Sequence, residues 1–165
     1  MALTNSERLR MLERPAGAVD TVIDTDTYNE IDDQFALAYA LKSPERINLK
    51  AIYAAPFHNE KSAGPADGME KSFTEILKVL GLMNRDELKP LVHRGSVSYL
   101  PDEKTAVASD AASHLVELAQ SYEQANPLYV VALGAITNIA SAILLEPSIA
   151  DRIVLVWLGG HAHHW

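Results

Sequence analysis

The chain has 165 residues, 48% of them hydrophobic, with 14 Lys and Arg against 22 Asp and Glu for a net charge of −8. A chain of this size buries roughly 70% of the surface its unfolded form exposes, so it can build a core without covalent staples. The acidic balance argues against a protein that tracks phosphate backbones, and nucleic acid is not the expected partner. The absence of cysteine excludes disulfide frameworks, thiolate nucleophiles and Cys-based zinc sites.

Residues 4–14 open with a capping-box pattern, Thr4 with Glu7, and stop at Pro15 and Gly17, which predicts a helical N-terminal extension over residues 1–17. This segment is polar and does not read as a signal peptide. No apolar run approaches the roughly 18 residues of a membrane span, so the expectation is a cytoplasmic protein with no membrane partner. Val19 to Ile23 reads as a strand running into the polar loop that starts at Asp24, and Ile31 to Leu41 as a helix closed by Ser43-Pro44. Ile47 to Ala55 is a second strand. Asp67 and Glu70 predict a capped helix whose packing stripe is Met69, Phe73, Ile76 and Leu80.

Pro90 to His93 reads as a short strand, and a loop through Pro101 leads to a helix carrying Leu115, Leu118, Ala119 and Tyr122. Leu128 to Leu133 is a strand, Gly134 to Asn138 a turn, Ile139 to Leu145 a helix and Ile153 to Leu158 a last strand. Strands alternating with helices predict one α/β domain over residues 1–165, with an open, mostly parallel, Rossmann-like sheet covered on both faces. Ligands of such sheets bind beyond the carboxyl ends of the strands, where the polar segments here would gather.

The charge is concentrated. Between Arg14 and Lys42 lie six acids and no base, which leaves 16 acids against 14 bases elsewhere. Five of the six fall within Asp24 to Asp33. Carboxylates held close raise one another's pKa unless a cation or donors compensate, and an oxygen-only set favours a hard cation, Ca²⁺ or Mg²⁺. An EF-hand fails, because Asn29 and Phe35 stand where Gly and Glu are needed. A phosphate-cradling loop fails for want of glycines and a Lys. A metal-dependent phosphohydrolase with Asp24 as nucleophile and Asp26 as acid stays open on the residues, although Tyr28 is foreign to that pattern.

The run Val22-Ile23-Asp24-Thr25-Asp26 followed by Ile31-Asp32-Asp33 resembles the N-terminal signature of the inosine-uridine-preferring nucleoside hydrolase family. Three further segments resemble that family in the same order: Ala51 through Asn59, Val130 through Ala140 with its Gly-x-x-Thr-Asn-Ile-Ala pattern, and Glu146-Pro147 with the strand ending at Gly159-Gly160. The resemblance implies Ca²⁺ held by the carboxylates of Asp26 and Asp33 and the backbone carbonyl of Leu133, where the family usually has Thr. It implies that Asp32 and Asn59 bind the ribose, that Asp24 orients the ligands from behind, and that Asp26 is the base for the attacking water. The substrate is then a ribonucleoside, the products are ribose and free base, and homo-oligomerisation is a family-level expectation. Two departures stand out. The stretch between Asp26 and the Asp32-Asp33 pair is longer than usual in the family, and family members extend well beyond this length, with a further metal Asp, sugar-binding Glu and Asn and a leaving-group His. Their absence leaves open a non-catalytic Ca²⁺- or ribose-binding remnant.

Among the remaining candidates, His161, His163 and His164 read as residues near a cavity mouth or an exposed tail, with transition-metal binding the lesser alternative. His58 precedes Asn59 and reads equally as a residue approaching the sugar or as a loop histidine with no role. His93 and His114 read as ordinary surface or helix residues, and Trp157, on an apolar strand, as core.

Overall fold

The computed structural model describes residues 3–160. Along the chain run α1 (Asn5–Met11), β1 (Val19–Thr25), α2 (Ile31–Lys42), β2 (Ile47–Ala54), α3 (Pro65–Leu82), β3 (Val92–Arg94), α4 (Asp110–Ala119), β4 (Leu128–Leu133), α5 (Thr137–Leu145) and β5 (Ile153–Leu158). The five strands form one sheet in the order β3-β2-β1-β4-β5, and every pairing is parallel. The order reverses between β1 and β4. In doubly wound sheets that reversal opens a crevice at the carboxyl ends of the two strands.

Alternation along the strands builds two cores. Val22, Ala51 and Tyr53 point to the face covered by α4 and α5, where Leu115, Ala119, Ile139 and Ala142 are buried with them. Ile23, Ile52 and Ala54 point to the other face, against Leu37, Leu41, Met69, Ile76 and Leu80 of α2 and α3. Both faces of β1 are therefore apolar, as parallel strands under two helical layers require. Among the described residues no helix is long and apolar enough to cross a membrane.

Several boundaries differ from the sequence reading for local reasons. Pro65 occupies the first turn of α3, where its missing N–H costs nothing. Asp67 consequently accepts from the Ala63 N–H at 2.8 Å and pairs with Lys71, while Glu70 faces Arg94 at 2.8 Å. The expected Asp67/Glu70 capping box is not formed. Pro90 lies in a 3-10 turn, Asp86–Leu91, and the strand starts only at Val92, since Pro has no donor for a ladder. Tyr122 lies past the end of α4, where its hydroxyl donates to Asp20 at 2.7 Å. Thr137 and Asn138, expected in a turn, form the first turn of α5.

Candidate active site at the sheet switch point

The chain leaves β1 at Thr25 and reaches the first turn of α2 by residue 31, so Asp24, Asp26, Asp32 and Asp33 are carried to the crevice by adjoining elements. Asp24 is fully buried, Asp26 and Asp33 nearly so, and Asp32 is exposed. A cavity of about 610 Å³ is lined by Asp26, Asp32, Asp33, Asn59 and Leu133, with His58 at its wall. These side chains come from the ends of β1, β2 and β4 and the start of α2. Asp24 is absent from the lining and sits beneath it.

The electrostatics of this edge are unusual. Burial first, then the hydrogen bond that the protonated Asp33 carboxyl donates to Asp26 and the Asp26 charge, and then the charge of Asp32 push the Asp33 carboxyl up to about 9, against a weaker opposing hydrogen bond from Thr25. Burial pushes Asp24 up to about 7, opposed by its bond to Asn138 and reinforced by the Asp26 charge. One oxygen of Asp24, Oδ2, is buried without a hydrogen-bond partner. Two carboxylates forced together in low dielectric gain most from a cation between them.

The donor set suits a hard cation. Among the described residues no group of three or more His, Cys, Asp or Glu side chains is arranged to hold a metal by itself. Asp26 and Asp33 bring two carboxylates to the cavity, and Leu133 also lines it. Ca²⁺ takes six to eight oxygens and accepts carbonyls, water and substrate hydroxyls for the remainder. Gly134 makes the approach possible. Its φ is 107°, and a Cβ there would fall 2.8 Å from Asp26 Oδ1, so only glycine fits.

Four contributors escaped the sequence reading. Asn29 donates from Nδ2 to Asp26 Oδ2 at 3.0 Å, and its own Oδ1 accepts from Asn59 Nδ2 at 2.6 Å; the long loop therefore ties the acid cluster to Asn59. Lys61 reaches the Asn29 carbonyl from the segment after β2. Tyr99 lines the cavity from the β3–α4 connection. Trp157, expected in the core, is 47% exposed and also lines the cavity. The reason is sheet order: β5 is an edge strand among the described residues, and strand apolarity does not reveal an edge.

His114 lies on helix α4, and both it and His93 make specific contacts beyond those of an ordinary surface or helix residue. Their rings stack at 3.9 Å on the α4 face, with Tyr53 edge-on to both. The Tyr53 hydroxyl and His114 Nδ1 share a 2.8 Å hydrogen bond, and His93 Nδ1 meets Asp110 at 3.0 Å. His161, His163 and His164 lie outside the described residues. The burial of Asp24 removes the phosphohydrolase reading that needs it as a nucleophile, because an attacking oxygen has to reach the substrate and Asp24 is 0% exposed.

The sequence model of the inosine-uridine preferring nucleoside hydrolases matches residues 21–165. The chain belongs to that family. An inosine-uridine preferring nucleoside hydrolase from Leishmania major is 36% identical over 87 residues, which cover 52% of this chain and 27% of that protein. Among solved structures, a purine-preferring ribonucleoside hydrolase from Gardnerella vaginalis superposes with a TM-score of 0.62 at 24% identity, covering 86% of this chain and 49% of the other. An inosine-guanosine nucleoside hydrolase gives 0.63 at 20% identity, covering 88% and 48%. These superpositions show the fold. The chain spans about half the length of these solved relatives and, in the matched segment, about a quarter of the Leishmania protein. Within the nucleoside hydrolase fold, the described residues thus supply the switch-point crevice and its acid cluster.

Proposed function

We propose that this chain carries the cation- and sugar-binding part of a site that hydrolyses the N-glycosidic bond of ribonucleosides to ribose and free base. The observation that supports it is the convergence of Asp26, Asp32, Asp33, Asn59 and Leu133 on one crevice at the sheet switch point. Asp26, Asp33 and the Leu133 carbonyl would hold Ca²⁺, whose chemistry there is to orient a water and the ribose diol and modestly lower the water's pKa. Asp26 takes the proton of the attacking water. Asp32, exposed at the cavity wall, accepts hydrogen bonds from ribose hydroxyls, and Asn59, held by Asn29, donates to the sugar. Asp24 supports the end of β1 from below. Cleavage develops positive charge on the sugar ring, and carboxylates fixed in a partly dry crevice stabilise that charge.

The test is to incubate the purified chain with purine and pyrimidine nucleosides, with Ca²⁺ or chelator, and assay reducing sugar, with free phosphate from a nucleotide as control. Sugar release lost on chelation and in Asp26→Ala is the expected result. Calcium-dependent thermal stabilisation without turnover would keep the binding assignment and remove the catalytic one. Neither turnover nor stabilisation would overturn both.

A further inference from the structure

Trp157 stands where burial does not explain it. It lies near the end of β5 with Val156 50% and Leu158 68% exposed beside it, and is itself half exposed. Its indole is nevertheless oriented: Nε1–H donates to the Gly134 carbonyl at 2.9 Å. The Gly134 N–H donates in turn to the Leu158 carbonyl at 3.0 Å. Both main-chain polar groups of Gly134 are therefore held by β5, one by ladder and one by side chain.

Gly159 completes the arrangement. A Cβ there would lie 2.6 Å from the Gly134 carbonyl oxygen and 2.6 Å from Trp157 Nε1, so a larger residue would enter the space the hydrogen bond occupies. On its other side Gly134 faces Asp26 with no room for a side chain between them: a Cβ there would fall 2.8 Å from Asp26 Oδ1. Leu133, the proposed carbonyl ligand, is the preceding residue. Rotation of this turn would change its separation from the Asp26 carboxylate, and ligand geometry depends on such orienting contacts.

We infer that Trp157 is a positioning residue for the cation edge of the cavity: its indole N–H, admitted by Gly159, holds the turn carrying Leu133 and Gly134 against Asp26. The inference rests on the assignment of a cation to Asp26, Asp33 and Leu133 made above. It assigns Trp157 no contact with the reacting atoms.

The test uses a Trp165→Phe background, in which Trp157 is the sole tryptophan. Calcium titration is expected to shift its emission with the same midpoint as the calcium-dependent rise in melting temperature. Trp157→Phe keeps an aromatic ring and removes the donor; it is expected to weaken calcium binding about tenfold, the effect of losing one hydrogen bond to an organised site. Its melting temperature in chelator should stay within about 2 °C of the parent, because a half-exposed ring adds little core. Gly159→Ala, which keeps the indole but crowds its bond, should weaken calcium binding in the same direction. Parental affinity in both variants would overturn the positioning role and leave the cation site standing, as would losses that only track a lowered melting temperature in chelator. No calcium binding by the parent itself would overturn the cation assignment and this inference with it.

Discussion

Asn138 donates from Nδ2 to Asp24 Oδ1 at 2.7 Å, joining the first turn of α5 to the middle strand of the sheet across 114 residues of chain. The same amide donates to the Ala54 carbonyl at 3.2 Å and accepts the Ser96 N–H at 2.7 Å. One buried side chain thus ties β1, β2, the segment after β3 and α5 together beneath the cavity. Asn138→Ala would leave Asp24 with neither oxygen paired and the Ser96 N–H without its acceptor. Loss of about 2–4 kcal/mol is expected, measured by urea unfolding in chelator.

The two raised carboxyls give stability a definite pH slope. A carboxyl whose pKa is higher in the folded than in the unfolded state makes the folded state bind more protons, so stability falls as pH rises between the two values. For Asp24 that interval runs from the ordinary carboxylate range to about 7, and for Asp33 to about 9. In chelator, the melting temperature should therefore be highest in mild acid and decline towards pH 9. Of the two only Asp33 is a proposed calcium ligand, and calcium binds its ionised form, so calcium stabilisation should grow as Asp33 ionises over its interval. A chelated melting temperature that rises from pH 5 to 9 would contradict the electrostatic account.

Asp26→Asn separates stability from binding. The substitution removes the charge that burdens both Asp24 and Asp33 and keeps the side-chain shape. In chelator at pH 8 the variant should melt at or about 2–4 °C above the parent, the shift about 1 kcal/mol gives a chain of this length. Its melting temperature should no longer respond to calcium. Differential scanning calorimetry with and without the cation measures both effects.

The stacked histidines supply a separate, acidic-side effect. Burial, and then the neighbouring His93, depress the His114 pKa, with Asp110 and Glu117 opposing. A base whose pKa is lowered by folding contributes stability that is present above its unfolded value and lost as pH falls through the folded one. Proton NMR titration should place His114 below the ordinary histidine value. His93→Phe should move it upward by removing the adjacent charge.

The alternation of strands and helices, and the acid cluster after the first strand, were legible because both are local: periodicity reports which face of an element is apolar, and carboxylate density needs no fold to be counted. Asp26, Asp32, Asp33, Asn59 and Leu133 could be named together only through the resemblance, since nothing in their spacing says that the loop after β2 and the end of β4 flank β1. Asn29 was hidden because its partners are set by the path of the loop. Tyr53, His93 and His114 lie on β2, β3 and α4, far apart in sequence, and meet only once the sheet is assembled.

The sequence by itself determined an acidic α/β chain whose charge is focused on one strand-to-helix loop. Only the tertiary structure decided that β1 lies between β2 and β4, which leaves no room for a side chain between Gly134 and Asp26, buries Asp24 out of reach of substrate, and, among the described residues, leaves Trp157 on an edge strand with its indole bonded to the adjacent turn. The physical reason is that strand order follows from which apolar faces bury one another best, a property of the whole packed chain, whereas hydrophobic periodicity is a property of each segment alone.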